Sequence, residues 1–273
     1  MDHQSIALTV LMMMGSACAA GPAPSKALSP ESQPSSSQSE AKPSRSEVSQ
    51  TETAAQPSDW WTGNTPCPEG AELKGALPPK GKAVFCEKAG QLQGPKTTFH
   101  DNGQRARSEM YFQGKLEGHF KAWHDDGSLA QEGSYRNGVL EGHWVGYFAG
   151  GAKELEGEYR AGKESGIFKK FAQSGPRIEE MEYREGKKHG TGKVFYESGK
   201  LKEETEYAAG MRHGSGRTYY EGGAKRSEGK YANDEQVGVW RSFREDGKPL
   251  EEIQFAAGKK EGPTTRWHAS GVK

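Results

Sequence analysis

The chain is 273 residues long, carries 37 basic and 37 acidic side chains, and is only 32% hydrophobic while holding 37 glycines. A globular core draws on about 45–50% apolar residues with glycine counted, and glycine fills no volume, so composition argues against one large central core. Ten Tyr, ten Phe and six Trp argue against disorder over most of the length, and the balanced charge lacks the basic excess with which nucleic-acid binders displace counterions.

At the N-terminus, Ile6 to Met14 form an apolar run. Crossing a bilayer takes about 20 such residues; this shorter run has the length of a signal-peptide core, with the small residues Gly15, Ser16 and Ala17 where a peptidase would cut. Met1-Asp2-His3-Gln4 lacks the usual Lys or Arg. The residues ahead of Cys18 resemble a bacterial lipobox, with Gly15 where leucine is usual. Lipidation of Cys18 and simple cleavage after Ala19 both fit. Segment 1–18 is therefore expected to be a signal peptide with a lipobox. The protein would be exported and held at the membrane by a lipid anchor.

Segment 19–58 is dominated by Ser, Pro, Ala, Glu and Gln and has no aromatic residue. It cannot bury enough apolar area to offset its conformational entropy and reads as a disordered tether, with a mean reach of ~35 Å. Segment 59–86 holds Trp60, Trp61, Cys67, Pro78, Pro79 and Cys86 and reads as a small cap over a sheet edge. With Cys18 lipidated, Cys67 and Cys86 remain as an even pair in an oxidising compartment. A bridge between them would close a loop of about 20 residues and stabilise by roughly 3 kcal/mol. Two free thiols in a cytosolic chain are the alternative.

From residue 87 to 273 the sequence repeats every 24 residues, in eight copies that start at Glu87, Tyr111, Tyr135, Tyr159, Tyr183, Tyr207, Tyr231 and Phe255. Positions 8 and 17 of the unit are glycine in every copy, and position 13 is always aromatic: Phe99, Trp123, Tyr147, Phe171, Phe195, Tyr219, Phe243 and Trp267. A period of this size marks a solenoid or array. Pairs such as Asp126-Gly127 and Asp246-Gly247 supply the positive φ of a hairpin turn, and Gly114-Lys115-Leu116-Glu117-Gly118 is expected to form the return turn. Two strands of about six or seven residues plus two turns fill the unit, giving roughly 15–16 strands.

If the position-17 glycine closes the hairpin, position 11 lies opposite position 22. The facing pairs are then Lys121 with Glu132, Val145 with Glu156, Lys169 with Glu180, Lys193 with Glu204, Arg217 with Glu228 and Arg241 with Glu252. Five of these six are opposite in sign, as a cross-strand ladder favours by about 0.2–1 kcal/mol each.

The spacing of Gly186-Lys187-Lys188-His189-Gly190 and Gly210-Met211-Arg212-His213-Gly214 is similar to the MORN repeat. The stretches Phe195 to Gly199 and Phe243 to Gly247 resemble more closely the MORN-repeat variant known from YwqK-type toxin–antitoxin antitoxins. The resemblance covers about two-thirds of the chain. It implies an all-β fold, an elongated single-layer antiparallel β-meander, with binding, scaffolding or membrane association and no shared catalytic residues. The chain departs from the type at Asp234, where glycine is expected, and at Gly192 and Gly216, where other copies carry an aromatic residue.

His119 and His143 share one repeat position and His189 and His213 another, so the repeat explains them better than a metal site does. Cys67 and Cys86 lack a second pair for zinc. Gly94-Pro95-Lys96-Thr97 lacks phosphate-loop spacing. No catalytic, cofactor or metal site is expected. The candidate binding face is aromatic: Tyr111, Tyr135, Tyr159, Tyr183, Tyr207 and Tyr231 at position 1, with Trp123 and Trp267 from position 13. Neighbouring rings stacking for stability is the competing reading. The expected function is a non-catalytic scaffold or binding protein of the cell envelope, contacting a protein or envelope component and no nucleic acid. An antitoxin or immunity role is the alternative; partner and oligomeric state stay open.

Overall fold

A computed structural model describes residues 67–268 and 270–272. The expected signal segment, Cys18, the tether and the start of the cap segment lie outside them. The described residues are all-β: twenty strands in one antiparallel sheet. Pairing follows chain order, from Glu72–Ala76 against Ala83–Lys88 to Pro249–Ala256 against Lys259–Lys260 and Thr265–Arg266. Three rungs are interrupted and count as two short strands each (Lys115–Leu116 with Gly118–Trp123, Val139–Leu140 with Gly142–Tyr147, Lys259–Lys260 with Thr265–Arg266), so twenty strands make 17 rungs. Two of those rungs, Glu72–Ala76 and Ala83–Lys88, lie ahead of the repeat strands and continue the same sheet. A disulfide joins Cys67 to Cys86, whose side chain is fully buried.

The unit divides differently from the sequence expectation. The tight turn is at positions 3 and 4, not across the five residues from Gly114 to Gly118. Gln113 (φ 49°) and Gly114 (φ 75°) are both left-handed, as are Asn137 and Gly138, Glu185 and Gly186, and every equivalent pair. Two consecutive positive φ values define the type I′ turn, whose twist matches that of paired strands. The strand resumes at once with Lys115. The position-8 glycine lies within the strand, as Gly166 (φ 76°) does in Lys163–Phe171, beside a bulge where the register slips between Glu156 and Glu158. With only two residues spent on that turn, strands run to 8 or 9 residues, as in Arg177–Arg184 and Lys187–Phe195.

The position-17 glycines close the other end. Gly127 N–H donates to the His124 carbonyl at 3.0 Å and His124 N–H to the Ser128 carbonyl at 2.8 Å. This is a three-residue loop ending in a left-handed glycine, and the same pair of bonds recurs in all eight units. Between units, the position-4 N–H donates to the position-6 carbonyl of the unit before, from Gly114 to Leu92 at 2.9 Å through Gly258 to Gln236 at 3.1 Å. Each turn is thus fastened to its predecessor by backbone.

Asp234 and its neighbour Asn233 both hold the left-handed turn conformation, at φ 69° and 50°. The Asp234 carboxylate accepts from the Arg212 backbone N–H at 2.9 Å and from Arg212 Nε at 3.2 Å. That side-chain bonding compensates for the strain of a non-glycine residue here.

Candidate binding faces

Strand alternation puts positions 11, 13 and 22 on one face and positions 1, 10 and 23 on the other. The two aromatic rows of the sequence therefore lie on opposite faces. The position-1 tyrosines stand on one, while Trp123 and Trp267 belong to the position-13 row on the other. Both rows are half-buried.

On the tyrosine face, rings from positions 1 and 10 interleave. Tyr159 makes edge contacts with Trp144 at 6.1 Å and Phe168 at 5.5 Å between centroids, and Phe168 continues to Tyr183 at 5.2 Å. Glycine at position 23 makes room for them. A Cβ on Gly157 would lie 2.5 Å from Phe168, and one on Gly229 would lie 2.2 Å from Trp240. Where position 10 is itself glycine, the partner side chains fill the space. Met181 and Tyr207 close over Gly192, and Tyr231 over Gly216. At these two positions the space an aromatic ring would take is filled by large side chains from the adjacent strands. Burial of this row raises the Tyr159 and Tyr183 hydroxyls to about 12, helped by the negative charges of Glu164 and Glu179 respectively.

The opposite face carries a charge ladder, interrupted at Val145. All six expected pairs are direct partners. The structure adds the complementary set between hairpins: Glu156 with Lys169, Glu180 with Lys193, Glu204 with Arg217 and Glu228 with Arg241. Read across consecutive rungs, the row is Thr97, Ser108, Lys121, Glu132, Val145, Glu156, Lys169, Glu180, Lys193, Glu204, Arg217, Glu228, Arg241, Glu252 and Thr265. Where charge fades at its start, the buried Thr97 and Ser108 hydroxyls meet at 3.2 Å. A third group joins some glutamates: Lys153 bonds Glu156 at 2.5 Å, Arg177 pairs with Glu180 at 2.9 Å, and Lys225 with Glu228 at 2.8 Å. The bond from Lys153 holds the Glu156 carboxyl below its ordinary range.

The same cations cover the position-13 rings. Lys153 lies over Phe171 at 5.7 Å, Arg177 over Phe195 at 4.5 Å and Lys225 over Phe243 at 5.8 Å, and Arg105 lies likewise over Trp123 at 5.4 Å. Between Phe171 and Phe195 the face dips into a shallow open groove, also lined by Glu156, Lys169, Pro176 and Arg177. It can offer ring edges with a carboxylate and two cations beside them, which suits an extended polar ligand better than an enclosed small molecule.

Position 14 was not singled out by sequence, and it staples unit to unit. His100 Nε2 donates to the Trp123 carbonyl and His124 Nε2 to the Tyr147 carbonyl, both at 2.9 Å. Tyr196 Oη and Tyr220 Oη do the same to Tyr219 and Phe243, at 2.7 and 2.9 Å. The only sequence signal was a recurring polar-tipped ring just after the aromatic one. The repeated histidines do not converge: His119 Nδ1 meets the Ser134 hydroxyl at 2.9 Å. Among the described residues no group of three or more His, Cys, Asp or Glu is placed to hold a metal ion.

The architecture is that of a repeat-built sheet in which each hairpin contacts its neighbours in sequence. The family model for the MORN repeat variant matches residues 116–137, 188–209 and 236–257. All three windows begin at position 6 of a unit and end at position 3 of the next, in phase with the 24-residue period. These segments are MORN-type repeats. No curated protein matches the chain. Among solved structures, the Glycosylation Associate Protein complex from Streptococcus agalactiae is 20% identical, with 46% of this chain and 19% of that one covered at a TM-score of 0.20. The TcdB2–TccC3–Cdc42 structure is 9% identical, with 69% and 12% covered at 0.21. The TcdB2–TccC3 structure is 10% identical, with 70% and 13% covered at 0.22. This chain spans less than a fifth of each, and scores this low carry no functional meaning.

Proposed function

We propose that the chain is a non-catalytic binding scaffold of the bacterial cell envelope, exported and anchored through Cys18, whose repeat sheet docks a protein or envelope component. The supporting observation is the charge ladder. Its cations and carboxylates neutralise one another along the face, so the half-exposed position-13 rings stand in a surface without a dominant charge. Such a surface discriminates by shape and ring contact more than by long-range attraction.

The anchor and the scaffold are tested together by palmitate labelling and fractionation of the full chain, followed by crosslinking in cells and mass spectrometry. Cys18→Ser should abolish labelling and release the protein to the soluble fraction, and one specific partner should be lost when Phe171 and Phe195 are replaced by Ser. Unchanged fractionation contradicts the anchor; a partner indifferent to both replacements contradicts the face. Recovery of a toxin as that partner would replace the scaffold with an antitoxin role.

A further inference from the structure

The two long borders of the sheet, formed by the two sets of turns, carry opposite charge. At positions 2 to 6 of the eight units (residues 88–92 and each 24th onward) there are 11 basic and 4 acidic residues. At positions 14 to 18 (residues 100–104 onward) there are 3 basic and 7 acidic. The basic border also places like charges directly opposite each other. Arg160 pairs with Lys163 and Arg184 with Lys187, one pair beside each of two successive tight turns. Like charges across a rung are unfavourable, and this is the same chain that sets opposite signs against one another from Glu156 to Glu252. All four of these cations are exposed. On the other border, Asp125, Glu197, Glu221 and Glu245 are exposed as well.

We infer that the basic border docks onto the acidic border of a second copy of this chain, setting sheets side by side. Both borders repeat every two rungs, about 9–10 Å, because both come from one repeat. A copy therefore brings its carboxylates at the spacing of these cations, which an unrelated acidic surface need not do. The contact is heterologous: a docked pair still has one free basic and one free acidic border between its two copies, so the assembly grows as a row. Individual exposed pairs are weak and screened by salt, so association relies on many pairs in register and on low ionic strength. The inference extends the scaffold reading but fails separately from it, since a monomer can still bind a partner on its face.

The test is sedimentation velocity of the full chain at low salt and at ~1 M salt, where screening reaches about 3 Å. Larger species at low salt should disappear at high salt. Reversing either border alone (Arg160→Glu, Lys163→Glu, Arg184→Glu and Lys187→Glu, or Asp125→Lys, Glu197→Lys, Glu221→Lys and Glu245→Lys) should abolish them, with the circular dichroism spectrum unchanged. Mixing the two reversed proteins should restore association as a heterocomplex. A monomer under every condition, association indifferent to salt or reversal, or failure of the mixture to associate would each overturn the inference. So would binding of the basic border to phosphatidylglycerol vesicles without self-association, which would assign those cations to a lipid surface. If a reversed protein misfolds, neutral replacements (Gln for the cations, Asn for Asp125 and Gln for the glutamates) carry the test, with loss of association expected and its retention contradictory.

Discussion

Tyr220 donates its hydroxyl to the backbone carbonyl of Phe243, one unit onward, at 2.9 Å. The bond joins the loop after one aromatic strand to the end of the next, so its loss should weaken the coupling between units and leave each hairpin intact. Tyr220→Phe keeps the ring and deletes only the donor. It should cost about 0.5–1.5 kcal/mol in urea unfolding, and Tyr196→Phe should cost a similar amount. A wild-type unfolding curve for either variant would show that the hydroxyl contributes nothing.

Gly157 should tolerate no side chain while Phe168 is present. A methyl there would stand 2.5 Å from the ring, and overpacking of this kind costs about 1–3 kcal/mol. Gly157→Ala should lower the melting temperature, and Phe168→Leu in the same chain should recover part of the loss. Additive losses in the double variant would refute the steric pairing of these two residues.

In the ladder, Lys193 stands between Glu180 and Glu204. Lys193→Glu would line up three carboxylates and should destabilise by about 1 kcal/mol at low salt, with Lys193→Gln intermediate and the difference shrinking as salt rises. Equal stability of all three at low salt would show the row to be energetically silent.

Both extremes of pH should weaken the fold. Glu156 is held below its ordinary carboxylate value of 4.5 by the bond from Lys153. A depressed folded value means that its contribution is present above 4.5 and is lost as pH falls below it. Tyr159 and Tyr183 are raised from 10 to about 12 by burial. Neutral when protonated, they contribute fully below pH 10 and progressively less as pH climbs toward 12. Stability should therefore fall on both sides, and tyrosinate absorbance should show a fraction titrating near 12. A single tyrosine transition at 10 would contradict the packed tyrosine face.

Much of this was legible because glycine and charge report locally. The opposition of position 11 and position 22 followed from one assumption about the position-17 turn. The faces were not legible, because a bulge beside the position-8 glycine changes the count between rungs (Glu156 to Glu158 against Lys169 to Ser165). The type I′ turn was hidden by its first residue, since Ala89, Gln113 and Glu185 are unusual in the left-handed region. The glycines at positions 4 and 8, with a lysine between them, looked instead like the ends of one longer turn. Gly192 and Gly216 looked like defects for a simpler reason: the large side chains that cover them come from the adjacent rung, which periodicity alone does not reveal.

The central claim is that the 24-residue unit is the structural unit, its pairs continuing across every junction. Removal of residues 159–182 takes out one whole period and rejoins Glu158 to Tyr183, so every ladder residue keeps a partner on the same face. That protein should retain a β-sheet circular dichroism spectrum and a cooperative thermal transition, while removal of 159–181, one residue fewer, should lose both cooperativity and much of the stability. Equal behaviour of the two deletions, or collapse of the first, would contradict it.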